Sequence, residues 1–178
     1  MSGEESRRTL FEGTQVDAET FLSNSALLQG ATSEELAPFI SISKILTAKK
    51  GSAIFKEGQP AKDLYIVGTG RVALDMKLDR PDGSITPVTT VASIGPGEAV
   101  GLSAVIQPRA FTMSAQAVED SQLVLMDGEK LKIVLDQNRR VGYIFMFNVA
   151  KLLAQRLSET REAFVFERAW LWREKHAG

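Results

Sequence analysis

Apolar positions along the chain change their spacing twice. Between residues 18 and 43 they recur every three or four positions, so that Leu36, Phe39 and Ile40 share one helical face. Thr32 and Glu35 form a Thr-x-x-Glu capping box just ahead of them, which predicts a short helix starting at Ser33. From Ser43 to about Asp127 the apolar runs are short or alternating, with glycine, proline or aspartate between them. Ile54-Phe55, Leu64 to Val67, Val72 to Leu74, Val88 to Ile94, Thr112 to Ala117 and Leu123 to Met126 each have the length of a strand. Turns are expected at Lys50-Gly51, Glu57 to Pro60, Gly68 to Gly70, Arg80 to Gly83, Gly95 to Gly97 and Gln107-Pro108. Short strands with turns every 8 to 12 residues or so predict an antiparallel, jelly-roll-like β-roll.

After Asp127 the helical period returns. Gly128 to Asp136 reads as a short helix, and from Arg139 a long one carries Val141, Ile144, Phe145, Val149, Leu152, Leu153 and Leu157 to about Lys175. The expected organisation is a loose arm over residues 1–17 that docks through Phe11, a roll with N-terminal helices over 18–138, and a long C-terminal helix with an aromatic tail over 139–178. The fold class is therefore mainly β, with flanking helices.

Composition narrows the chemistry more than the fold. The 178 residues carry 21 lysines and arginines against 22 aspartates and glutamates, a net charge of -1, so no global field draws the protein to nucleic acid. There is no cysteine, and the single histidine, His176, stands near the C-terminus. A nucleophile-base pair is then hard to build: Ser103 and Glu98 are near each other in sequence, but no histidine or thiolate precedes them. The expected class is non-enzymatic, without a metal. No apolar run approaches the roughly 18 to 20 residues of a membrane span. The start, MSGEESRRTL, is polar, which places the protein in the cytoplasm on this reading.

Two stretches carry the identity. The first, Gly58 to Val72, sets glycines on either side of the strand Leu64-Tyr65-Ile66-Val67. The second runs from Ile94 through Gly95-Pro96-Gly97-Glu98 to Gly101-Leu102-Ser103-Ala104, and on to Gln107-Pro108-Arg109-Ala110-Phe111-Thr112. A glycine entering a short helical turn offers backbone N–H groups, and a nearby arginine offers a cation, a pairing suited to phosphate.

In this order and strand rhythm, the chain resembles the cyclic nucleotide-binding domain family from about Phe21 to Phe164. The resemblance implies a phosphate-binding cassette in which Gly101 is the cassette glycine, Arg109 the phosphate arginine and Ala110 the small residue after it. Leu102 stands where the family has a glutamate for the ribose 2′-hydroxyl, and the interval to Arg109 is a couple of residues short. The implied ligand set is Gly101, Leu102, Ser103, Arg109 and Ala110. Arg156 and Thr160, on one face of the long helix, match the family's base-contacting positions; an ordinary solvated helix face is the other reading of the pair.

The resemblance implies a regulatory module that senses a cyclic nucleotide or related phosphorylated ligand and has no resident cofactor. The alternative is a ligand-less adaptor that keeps the fold and works through protein–protein contact. A homodimer through the long helix and a further protein partner are expected, with no membrane span. Direct DNA binding is not expected, since only about a dozen residues remain past the resemblance, which ends at about Phe164, where a DNA-reading module would need some 60. Trp170 and Trp172, with Phe164 and Phe166, leave the tail open to three uses: packing on its own or a twin domain, covering the pocket, or receiving a partner.

Overall fold

The computed structural model describes residues 15–77, 88–106 and 109–176, with the side chains of 15, 16, 171 and 173–175 left aside. Expectations for the arm and Phe11, for the Arg80 to Gly83 and Gln107-Pro108 turns and for the side chains at 171, 173 and 175 fall outside that description. The chain opens with α1 (Gln15–Ser23), a 3-10 turn (Ala26–Leu28) and α2 (Ser33–Ile42). Eight strands follow: β1 (Ser43–Ala48), β2 (Ala53–Phe55), β3 (Asp63–Thr69), β4 (Val72–Met76), β5 (Thr89–Ile94), β6 (Ala99–Val100), β7 (Ser114–Ala117) and β8 (Ser121–Asp127). A second 3-10 turn (Leu102–Ala104) separates β6 from β7, and α3 (Gly128–Gln137) and α4 (Arg139–His176) complete the order.

The strands pair antiparallel in two four-stranded sheets, ordered β1-β8-β3-β6 and β2-β7-β4-β5. This is the roll the alternation predicts. Leu64, Ile66, Val67, Val72, Leu123, Val124 and Met126 are fully buried in one continuous core built on both faces of the strands. The capping box at Thr32 forms as the sequence predicts, with the Thr32 N–H donating to the Glu35 carboxylate at 2.8 Å.

Helix α4 divides into a covered and an uncovered half. Val141, Phe145 and Val149 are buried, and the Asn148 side-chain amide donates to the carbonyls of Leu27 and Gln29 at 3.1 and 3.0 Å. Arg140 pairs with Glu35 and ties the start of α4 to the start of α2. From Leu157 onward every described residue is exposed, including Phe164, Phe166, Trp170 and Trp172. The described side chains of the tail thus neither pack back on the domain nor cover the roll. The helix continues unbroken to His176.

Candidate functional site

The Leu102–Ala104 turn is built by Gly101. Its φ of +81° and ψ of 28° lie in the left-handed region, where a β-carbon costs roughly 1 to 2 kcal/mol. A β-carbon there would also stand 3.0 Å from the Asp63 carbonyl, 3.2 Å from the Tyr65 ring and 3.3 Å from the Phe111 ring. Glycine therefore lets β6 end hard against β3 and Phe111. Phe111 in turn stacks on Phe55 with ring centroids 3.8 Å apart.

Within the turn, Ala104 and Val105 return their N–H groups to the carbonyls of Gly101 and Leu102, both at 2.9 Å. The N–H groups of Leu102 and Ser103 open the turn and so have no carbonyl one turn behind them. The Leu102 side chain belongs to the hydrophobic core with only 8% of its surface exposed, and Ser103 is half-buried. A leucine here turns inward because no charge opposes its burial, which leaves no carboxylate at this position to face a ribose.

Arg109 has a left-handed backbone as well, at φ +62°, and among the described residues it is the non-glycine residue that does so. Its carbonyl accepts from the Ala61 N–H at 2.9 Å, and Ala110 bridges Pro60, so the backbone is fixed on both sides. The Arg109 guanidinium donates to the Glu129 carboxylate in the first turn of α3. Gly128, the residue before Glu129, packs on the Ala104 carbonyl so closely that no β-carbon would fit, and its N–H donates to the Lys62 carbonyl at 2.8 Å. The turn and the arginine thus both meet the N-terminus of α3, and Arg109 arrives there already paired.

Arg156 and Thr160 make different contacts. The Arg156 guanidinium donates to the Ala99 carbonyl of β6 at 2.7 Å, while the Thr160 hydroxyl donates back to the Arg156 carbonyl at 2.8 Å. Burial pushes the Arg156 pKa below the ordinary guanidinium value, opposed by the nearby charges of Glu98 and Glu159. Glu98 itself closes the glycine turn before β6, accepting from the Gly95 N–H at 2.7 Å. Of the two helix positions, Arg156 is directed to the roll and Thr160 to its own helix.

Two residues that matter here escape a reading of the sequence. Glu129 looks like an ordinary acid complementing the dipole of a helix start, next to an Asp127 cap that accepts from the Glu129 and Lys130 N–H groups at 3.1 and 2.9 Å. Asn148 looks like a polar break in an apolar stripe. Among the described residues no group of three or more histidines, aspartates or glutamates is arranged to hold a metal, and no helix is long and apolar enough to cross a membrane.

Comparison with known proteins identifies the fold that carries these residues. A family model described as the cyclic nucleotide-binding domain matches residues 45–138, from within β1 through α3. The chain is 30% identical over 139 residues to the cyclic AMP receptor protein of Thermus thermophilus, covering 78% of this chain and 60% of that protein. It is 32% identical over 139 residues to glutaminase 1 of Bradyrhizobium diazoefficiens, covering 78% of this chain but only 21% of that enzyme. A cyclic nucleotide-binding protein from Geobacter metallireducens superposes with a TM-score of 0.60 at 30% identity, covering 74% of this chain and 91% of that one. The chain thus spans about a fifth and about three-fifths of the two curated relatives.

Proposed function

The chain belongs to the cyclic nucleotide-binding domain family, and we propose that it is a non-enzymatic regulatory module of that family. In this reading the Leu102–Ala104 turn and Arg109 receive the phosphate of a cyclic nucleotide or a related phosphorylated ligand. The observation that carries it is the shared meeting point of turn and arginine at the start of α3. Two opening N–H groups and one guanidinium are the donors a phosphate needs. Ser103 and Ala110 contribute backbone and small side chains, so that oxygen atoms can come close.

The output is α4. Arg156 fastens it to Ala99, two residues before Gly101, so a ligand that shifts the turn also shifts the helix. Beyond Leu157 the helix offers Phe164, Phe166, Trp170 and Trp172 to another chain. A stripe of Tyr143, Met146, Phe147, Leu153, Leu157 and Phe164 is exposed along one side of α4, and we assign it to a homodimer.

A second reading has its own support. Arg109 is paired with Glu129 and Leu102 replaces the ribose acceptor, which fits an adaptor that keeps the fold and binds only proteins. Calorimetric titration with cAMP, cGMP and cyclic dinucleotides separates the two. Micromolar binding that disappears in Arg109→Ala supports the sensor, and absence of heat with all of them supports the adaptor.

A further inference from the structure

Resting on the reading of Arg109 as the phosphate cation, we infer that Glu129 is an internal competitor for the ligand. Its carboxylate occupies the Arg109 guanidinium and must leave before a phosphate can take its place. A carboxylate presents a guanidinium with the same kind of paired anionic oxygens as a phosphate. The two partners are not equally free to move. The Arg109 backbone is held by the Ala61 hydrogen bond and the neighbouring Ala110–Pro60 bridge, and its side chain is only 35% exposed. Glu129 is 69% exposed on the outside of the first turn of α3, so it is the partner that swings away.

The exchange also has a direction of signal. Gly128 locks the start of α3 to the Ala104 carbonyl, and Leu131 and Val134 bury the face of α3 that packs on its neighbours, α4 among them. Replacing Glu129 at Arg109 releases an ion pair between the segment after the turn and α3. The ligand then acts on α3, and through it on the root of α4, as well as on the Arg156 fastening.

The experiment compares wild type, Glu129→Gln and Arg109→Ala by calorimetry with cAMP. In parallel, inorganic phosphate is titrated into the 15N-labelled full chain, following the arginine Nε–H signal that vanishes in Arg109→Lys. An exposed ion pair is worth little, so Glu129→Gln should bind cAMP about twofold to fivefold more tightly than wild type. Its Arg109 signal should move before any anion is added, and should respond to less phosphate. Unchanged affinity in Glu129→Gln, with wild type binding, overturns the competitor and leaves the sensor reading standing. Should neither protein bind cAMP while phosphate still reaches Arg109 more readily in Glu129→Gln, cAMP falls as the ligand and the competitor stands. An Arg109 signal identical in the two proteins without anion overturns the competitor outright.

Discussion

Arg156 donates from its guanidinium to the carbonyl of Ala99 at 2.7 Å, and so joins the middle of α4 to the strand that ends at the Gly101 turn. Helix and turn cannot move independently while that bond lasts. Arg156→Ala leaves a β6 carbonyl without its partner, at a cost of about 1 kcal/mol for a partly solvated group. Amide hydrogen exchange over residues 150–160 should quicken in the variant. Equal protection in the two proteins would show that the bond does not hold the helix.

Asn148 is the second fastening, and the deeper one. It is 8% exposed and satisfies the carbonyls of Leu27 and Gln29. Asn148→Leu should cost about 2 to 3 kcal/mol in denaturant unfolding, because two acceptors near the base of α4 lose a buried donor. Asn148→Asp should be worse, setting a charge against two carbonyl oxygens. A leucine variant as stable as wild type would mean that water reaches those carbonyls.

Glycines on either side of the candidate site fail for different reasons. Gly101→Ala combines a left-handed backbone with crowding by Asp63, Tyr65 and Phe111, and should cost about 2 kcal/mol or more. Gly128 is the first residue of a helix, so alanine suits its backbone, but the Ala104 and Lys62 carbonyls crowd the place of a β-carbon. Gly128→Ala should therefore displace the turn from α3 and weaken any anion binding at Arg109, with a loss of stability that comes from that displacement and not from backbone strain. Crystal structures of the two variants would separate backbone strain from displacement.

Much of this was legible before the structure. The alternation from Ser43 to Asp127 carried the roll, and the Thr32–Glu35 box marked the start of α2 correctly. Strand β1 was hidden because adjacent Ile45 and Leu46 are both buried, which breaks the period of two. Strand β6 has two residues, too few for any period. Gly101 announced its turn. The pairing of Arg109 with Glu129 could not be read, since 20 residues of strand and turn separate them and only the close packing at Gly128 brings the acid alongside.

Leu102 makes a prediction about ligand choice. With its side chain in the core, nothing at this position accepts a 2′-hydroxyl. Affinities for cAMP and 2′-deoxy-cAMP should then agree within about threefold, since a missing acceptor removes the roughly tenfold or greater discrimination that a hydrogen bond to a charged group supplies. A strong preference for the ribose form would require another acceptor. Leu102→Glu should destabilise the roll rather than restore discrimination, because the carboxylate would be buried without a partner.

Acid should weaken the protein from its surface inward. The Arg140 guanidinium and the Thr32 N–H hold the Glu35 carboxyl below its ordinary pKa, and Lys49 with the Lys50 N–H does the same for Asp120. Both folded pKa values lie under the unfolded ones. The stabilisation is therefore complete above the ordinary carboxylate range and lost as pH falls through the lowered folded values, below about pH 4. Melting temperature measured down to about pH 3 should fall more gently in Arg140→Met than in wild type. Parallel curves would remove Glu35 from the account.

The uninterrupted course of α4 makes it a lever. From the fulcrum at Arg156 to Trp172 lies an arm of about 24 Å at the ordinary rise of a helix, so a tilt of roughly 10° sweeps the indole through roughly 4 Å. A displacement at the Gly101 turn too slight to disturb the sheets can thereby become, at the far tip, the difference between an aromatic ring seated on its neighbour and one withdrawn from it.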